Sequence, residues 1–204
     1  MQNDWNENRA RLIGTVMGEP EYSHSNHNED FFRFPLRTDR LSGTSDQPNV
    51  LLSRTLLELR PLHRGDRVAI EGEIRSYNNR SGTGARLVIT LLAKEILPAQ
   101  QTPDDNRVTL AGVLCRCPTY RRTPLGREIC DLLLAVNRRY GRSDYLPCIA
   151  WGTLARDCAD LPVGFPMRLH GRLQSRGYTK LTEEGPVRRT AFEISVMTME
   201  PAEP

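Results

Sequence analysis

The sequence predicts an all-β protein made of two similar domains, each a five-stranded barrel with one short helix. Two observations support this prediction. Motifs recur at an interval of about half the 204 residues, and the 15 Gly and 14 Pro residues divide the chain into short runs that are β-branched or alternate in polarity. A hydrophobic content of 38% over this length is enough to form real cores.

The repeat is clearest in one motif. Asn8-Arg9-x-x-Leu12-x-Gly14 recurs as Asn106-Arg107-x-x-Leu110-x-Gly112, at an offset of 98 residues. The same offset aligns further pairs: Pro20 with Pro118, Tyr22 with Tyr120, Arg40 with Arg138, and Asp46 with Asp144. One inserted residue later, Gly72-x-x-x-Ser76 aligns with Gly171-x-x-x-Ser175. The repeat predicts homologous domains over 1–98 and 106–204, joined by a polar, proline-containing linker over 99–105.

Each domain has the same order of predicted elements. In the second, the patterns predict strands over 108–117, 128–137, 145–151, 167–176 and 189–199, and a helix over 152–161 that ends before Pro162. In the first, the third strand and helix fall in 51–59, the fourth strand in 66–75 and the fifth in 86–96. Five strands with a helix between the third and fourth are the plan of the OB-fold, a small barrel that binds oligonucleotides across one face.

The second domain resembles the bacterial single-stranded DNA-binding proteins. The resemblance rests on segments in the order typical of that family: 106–112 (NRVTLAG), 121–126 (RRTPLG), 133–140 (LLAVNRRY), 144–155 (DYLPCIAWGTLA) and 171–173 (GRL). The first domain resembles the family more weakly, through 8–14 (NRARLIG), 18–21 (GEPE) and 72–74 (GEI). With two barrels in one chain, the sequence is similar to the tandem form of the family.

The resemblance implies a site that binds DNA without bond-making. In the family, aromatic rings stack on unpaired bases while a cationic groove follows the phosphates. The stacking positions fall on Tyr140, Tyr145, Trp151 and Tyr178. All four are aromatic, although aromatic residues make up only 6% of the chain. An alternative is that Tyr145 and Trp151, which share one face of a strand, belong to the core.

Arginines accompany these rings. Of the 28 basic residues only Lys94 and Lys180 are lysines, which favours phosphate recognition or reflects a coding bias. Residues 106–199 contain 15 basic and 8 acidic side chains, against 13 and 11 in residues 8–97. The predicted phosphate contacts are Arg107, Arg121, Arg138, Arg139 and Arg176. For each of them the alternative is that the side chain is only solvated.

The first domain lacks most of this set. At the 98-residue offset, Ser42, Gln47 and Ser53 stand where Tyr140, Tyr145 and Trp151 stand in the second domain, and Asn79 lies near the fourth position. Its weaker DNA-binding candidates are Tyr77, Arg37 and Arg40. Phe31 and Phe32 either restore some stacking or fill the barrel. The sequence therefore predicts one strong and one weak DNA-binding barrel.

No motif indicates catalysis, a cofactor or a metal. The five cysteines include Cys115-x-Cys117 but no second Cys pair and no nearby His, so a zinc site is not expected. The better interpretation of Cys115, Cys130, Cys148 and Cys158 is that of small buried apolar residues. A phosphate-binding loop and a nucleophile elbow are both absent from the sequence. We expect a binding protein, not an enzyme.

The remaining expectations concern location and partners. No apolar run approaches the roughly 20 residues of a membrane span, and the N-terminus MQNDWNENR is polar, so we expect a cytoplasmic protein. The resemblance implies that it is bacterial and associated with the nucleoid. The chain ends MEPAEP, without the long acidic tail by which the family recruits partners. The resemblance also implies a homodimer that supplies four barrels. The expected function is coating of single-stranded DNA in replication, recombination or repair; the alternative is an OB-fold adaptor for which DNA is secondary.

Overall fold

A computed structural model describes residues 7–79, 86–138, 141–182 and 185–202 of the protein. It confirms the predicted fold class: two five-stranded barrels, each with a short helix between its third and fourth barrel strands. Across these four ranges, every helix is too short and too polar to cross a bilayer.

The first barrel is built from the first half of the chain. Its elements are β1 (Asn8–Val16), β2 (Glu21–Asn26), β3 (Glu29–Asp39), β4 (Ser45–Asp46), β5 (Asn49–Ser53), α1 (Arg54–Leu59), β6 (Arg67–Asn78) and β7 (Leu87–Pro98). β3 pairs with β1 and β5, β5 runs parallel to β7, and β6 lies between β7 and β1, so that the ring closes. The short β2 extends β3 as a hairpin outside the ring.

The second barrel repeats this plan. Its elements are β8 (Asp105–Leu114), β9 (Thr119–Arg122), β10 (Glu128–Asn137), β11 (Ser143–Trp151), α2 (Thr153–Cys158), β12 (Pro166–Thr182) and β13 (Gly185–Pro201). β10 pairs with β8 and β11, β11 runs parallel to β13, and β12 joins β13 to β8. A single parallel pair, between the third and fifth barrel strands, thus occurs in both rings.

Alternation along each strand separates the core from the outer face. On β11, Leu146, Cys148 and Ala150 are buried inside the barrel while Tyr145 and Trp151 point outward. The same parity on the other strands fills the interiors almost entirely with aliphatic side chains. The fully buried members include Leu12, Leu36, Leu52, Ile70, Leu91, Leu110, Leu134, Leu146, Leu169 and Leu173.

The glycines of the repeated motifs have a packing reason. A Cβ atom added to Gly14 would overlap the carbonyl oxygen of Arg37, and one added to Gly112 would overlap that of Ala135. Gly72 and Gly171 meet neighbouring strands in the same way. These four positions are where two strands of a barrel cross most closely, and only a residue without a side chain fits there.

The chain divides into two compact units that do not follow the repeat boundary. The first barrel's unit contains Arg9–Arg75 and Ile89–Arg107; the second contains Met1–Asn8, Ser76–Val88 and Val108–Pro204. Residues 76–79 and 86–88, at the described ends of the two strands of the β6–β7 hairpin, therefore pack with the second barrel. The predicted linker packs with the first: Ala99 is buried, and Arg67 donates hydrogen bonds to the Thr102 carbonyl and the Asp104 carboxylate.

Several predicted elements differ in extent from those observed. α2 covers only Thr153–Cys158 of the helix expected over 152–161, and β8 ends at Leu114, so that Cys115 and Cys117 lie beyond it. β12 continues through Tyr178 to Thr182, beyond the strand expected over 167–176. The long β12–β13 ladder, paired from Met167 with Pro201 to Thr182 with Gly185, explains this extension because each added residue gains a cross-strand partner.

Candidate nucleic-acid interface

The outer face of β11 presents two of the predicted stacking rings. Tyr145 is 50% exposed and Trp151 is 38% exposed, so the alternative that both belong to the core is wrong. They lie six residues apart, a spacing that places them on the same face of a strand. Trp151 lies directly opposite Ile129 on β10, which in turn pairs with Arg121 on β9.

The outer face of β12 adds the third ring and its arginine. Tyr178 lies opposite Arg189 on β13 and is partly buried, in a strand that continues past the end expected at residue 176. Arg176 is two residues away, on the same face. Its side chain is half exposed, and its Nε lies 3.2 Å from a carboxylate oxygen of Glu193.

Glu193 is a buried carboxylate on this outer face. Only 5% of the residue is exposed, and burial raises the pKa of its carboxyl group, with the opposing influence of Arg176 and Gln174. The Nε2 of Gln174 donates to its Oε1 at 3.4 Å. On the β9–β10 side, Arg121 donates to Asp131 at 2.8 Å. The arginines of this face are therefore held by carboxylates that a phosphate group could replace as partner.

Arg138 has a different environment, which the sequence did not indicate. Its guanidinium forms a two-point hydrogen-bonded pair with Asp144, a residue with 0% exposure. The equivalent residues of the first barrel, Arg40 and Asp46, form the same pair at 2.6 Å, with Asp46 1% exposed. The repeat thus preserves a buried ion pair, and the guanidiniums of Arg138 and Arg40 are committed to it in this structure.

The C-terminal end of β6 lies beside the strand that holds Tyr145. The Ser76 backbone N–H donates to Asp144 at 2.6 Å, and the Ser76 hydroxyl accepts a hydrogen bond from the Tyr145 N–H at 2.8 Å. Tyr77, the next residue, is 51% exposed. A ring encoded in the first repeat is therefore placed next to the face of the second barrel. The sequence alone does not predict this contact, because it depends on a hydrogen bond between residues that are 69 positions apart.

The other predicted residues are not all brought together. Tyr140 and Arg139 lie outside the described residues. Arg107 is largely exposed, donates to Asp105 at 2.9 Å and belongs to the unit of the first barrel. In that unit Arg37 also pairs with Asp39, and hydrogen bonds from Arg37 and Ser45 lower the pKa of Asp39 to about 2.

The cysteines do not form a metal site within the described residues, where no cluster of three or more metal-ligating side chains occurs. Cys130, Cys148 and Cys158 are buried as predicted, whereas Cys115 is only half-buried. Burial raises the pKa of the Cys158 thiol to about 12 and that of Cys148 further. These thiols are protonated at neutral pH and serve as packing residues.

Comparisons with known proteins agree on the second domain. The model of the single-strand binding protein family matches residues 105–202. The single-stranded DNA-binding protein of Halalkalibacterium halodurans is 36% identical over 99 residues, which cover 45% of this chain and 56% of that protein. The single-stranded DNA-binding protein of Deinococcus radiodurans is 25% identical over 207 residues, covering 84% of this chain and 68% of that protein. This chain thus spans about half the length of the first of these relatives.

A solved structure matches both barrels. The crystal structure of the wild-type single-stranded DNA binding protein from Thermus aquaticus superposes with a TM-score of 0.79, covering 97% of this chain and 94% of that chain. The sequences are 24% identical, so the likeness concerns the fold. It extends the agreement from the second domain to the tandem arrangement of two OB-folds in one chain.

Proposed function

We propose that this chain, whose second domain belongs to the single-strand binding protein family, binds single-stranded DNA without sequence specificity. The observation that supports this function best is the outward placement of Tyr145 and Trp151 on a strand whose alternate residues fill the core. The exposed part of each ring remains hydrated and gains nothing from packing within the chain. Such rings are suited to stacking on bases that have no pairing partner.

The proposed mechanism combines stacking with exchange of ion pairs. Each base has an aromatic face, so rings bind any sequence, while duplex DNA keeps its bases stacked internally. Arg121 and Arg176 form ion pairs with carboxylates on the same outer face and transfer to phosphates when DNA binds. Tyr178 extends the ring set, and Tyr140, Arg139 and Arg107 remain predicted contacts. Arg138 acts indirectly, through its ion pair with the buried Asp144 on β11.

The biological setting follows from the proposed activity. A protein that covers unpaired bases without bond-making acts wherever strands are separated, in replication, recombination or repair. We place it at the bacterial nucleoid in the cytoplasm.

Preference for single strands is the first test. Filter binding with oligo(dT), a mixed-sequence single strand and a duplex of the same length should give tight binding to both single strands and weak binding to the duplex. Affinity should fall steeply as salt rises, because phosphate neutralisation releases counterions. Equal affinity for duplex and single strand at physiological salt would overturn the proposal and favour the adaptor alternative.

Replacing Trp151 tests the ring set directly. In the full chain, Trp151→Leu should weaken oligo(dT) binding by roughly tenfold, because one base–ring stack is worth about 1–3 kcal/mol. Oligo(dT) should quench tryptophan fluorescence in the native protein and not in Trp151→Phe, where Trp5 is the only tryptophan left. Tyr120→Leu is the matched control: Tyr120 is 37% exposed but points away from Arg121 and bonds to Glu128. If Trp151→Leu and Tyr120→Leu bind alike, the face is misassigned.

We also propose that the chain forms a homodimer with four barrels. Two barrels offer a short path for DNA, whereas the wrapping of a strand around a protein needs a longer one. Analytical ultracentrifugation of the native protein at micromolar concentration should give about twice the monomer mass of 23.2 kDa. A stable monomer with undiminished DNA binding would contradict this proposal.

A further inference from the structure

The first barrel has a serine at the position that corresponds to Trp151 of the second barrel, and this serine caps a helix. Position 53 corresponds to Trp151 at the 98-residue offset, and it is the N-cap of α1. The Ser53 hydroxyl accepts a hydrogen bond from the Leu56 N–H at 3.2 Å. In the second barrel the N-cap is one residue later, at Gly152, and makes no side-chain cap. A ring at position 53 would therefore remove the cap of α1.

An aromatic ring stands instead on the neighbouring strand. Phe31 on β3 pairs directly with Ser53, just as Ile129 on β10 pairs with Trp151. Directly opposite residues of an antiparallel pair have Cβ atoms about 4.5–5.5 Å apart. The first barrel thus carries its ring, Phe31, on the neighbouring strand, directly opposite the position that corresponds to Trp151.

The outer face of β3 also differs in charge from its counterpart. Phe31, Arg33 and Arg37 alternate along β3, so all three face outward, whereas the buried Phe34 and Leu36 face the core. The corresponding residues of β10 are Ile129, Asp131 and Ala135, none of them aromatic or basic. Each arginine has a carboxylate nearby: Glu21 lies 4.0 Å from Arg33, and Asp39 lies 2.9 Å from Arg37. The side chains of these pairs are between about half and three-quarters exposed, and the arginines can exchange their carboxylate partners for phosphate.

A second ring already stacks on Phe31. His24 on β2 lies opposite Phe31, with ring centroids 5.2 Å apart and planes inclined by 12°. The imidazole is exposed, so its outer surface is open to a further planar group. Tyr22 and Phe32 form a separate edge-to-face pair, and Arg54 lies over Phe32 at 5.6 Å. That second pair belongs to the opposite face of the β2–β3 hairpin.

We propose that the first barrel has its own single-stranded nucleic-acid site on β2 and β3, with His24 and Phe31 as the stacking rings and Arg33 and Arg37 as the phosphate contacts. This inference rests on the proposed function of the second barrel and assigns a site to a domain whose offset positions hold no rings. A base continues the His24–Phe31 stack, and its phosphates follow the outer face of β3. The barrel therefore contributes to the length of DNA that one chain occludes.

The test uses the full chain, with Trp151 as an internal reference. Phe31→Leu keeps an apolar side chain but removes the stacking surface, and Arg33→Gln removes a phosphate contact. Each should weaken binding to a long oligo(dT) about five- to tenfold and shorten the occluded length on poly(dT), while Trp151 quenching by a short oligo(dT) is retained. Tyr22→Leu and Arg64→Gln, exposed changes elsewhere in the same unit, are the matched controls and should leave both readouts unchanged.

Crosslinking provides a readout that does not depend on affinity. Irradiation of the complex with oligo(dT) containing 4-thiothymidine, followed by mass spectrometry, should yield adducts on His24 or Phe31. An unchanged occluded length in Phe31→Leu, with adducts confined to the second barrel, would overturn this inference and leave the function of the second barrel intact. Loss of Trp151 quenching in the native protein would instead count against the proposed function itself.

Discussion

Replacing Asp144 by alanine is expected to destabilise the second barrel by about 3–5 kcal/mol, because it removes one partner of a buried ion pair. The carboxylate has no exposed surface, and it accepts hydrogen bonds from Arg138 and from the Ser76 N–H and hydroxyl. After the substitution, the Arg138 guanidinium loses its carboxylate partner and keeps the Ser76 carbonyl, while the buried Ser76 N–H loses its acceptor. The free energy of unfolding from urea titration would measure the effect.

Two controls separate the ion pair from a general effect of removing an aspartate. Asp160→Ala removes an exposed carboxylate of the same unit and should change stability by less than about 0.5 kcal/mol. The double variant Arg138→Met/Asp144→Leu should recover much of the loss, because an apolar pair of similar volume needs no desolvation of charge. An Asp144→Ala protein as stable as the native one would show that the carboxylate is hydrated in solution.

The Asp144 result also bears on DNA binding. Asp144 accepts hydrogen bonds from the Ser76 N–H and hydroxyl, and the same hydroxyl accepts one from the Tyr145 N–H, so loss of Asp144 weakens the contact between Ser76 and β11. A fragment starting near residue 104 would lack Ser76 altogether. Point variants in the full chain are therefore the better means of comparing the two barrels.

The second large effect is expected for Gly112→Ala. An alanine Cβ would overlap the Ala135 carbonyl oxygen and crowd the Leu134 side chain, so β8 and β10 must separate where the barrel closes. Overpacking a core ordinarily costs about 1–3 kcal/mol. Here the atom met is backbone, which cannot turn aside, and we expect a loss of at least about 3 kcal/mol.

Gly177→Ala is the matched control for this prediction. A Cβ at Gly177 meets only the Arg188 guanidinium, at 3.7 Å, an ordinary contact. Thermal unfolding followed by circular dichroism should show a marked decrease in midpoint for Gly112→Ala and little change for Gly177→Ala. Equal midpoints for the two variants would mean that the strands do not approach each other as closely as described.

The sequence by itself determined the architecture and the position of the exposed rings in the second barrel. The 98-residue offset follows from residues that a barrel cannot exchange, such as Gly14 and Gly112, whose spacing reflects strand crossing. Strand parity predicted that Tyr145 and Trp151 share a face, because side chains alternate with a period of two whatever the surroundings. These features are local in sequence and therefore visible in it.

Only the tertiary structure decided which polar residues pair and which rings become neighbours. It assigned Arg138 and Arg40 to buried aspartates, placed Tyr77 beside β11 through Ser76, and set Phe31 across from Ser53. Each of these contacts joins residues on different strands, so it depends on register and closure of the barrel. The sequence does not distinguish an arginine that contacts phosphate from one that pairs with a buried carboxylate. The two differ in the partner that folding places beside the guanidinium and in whether that partner is desolvated.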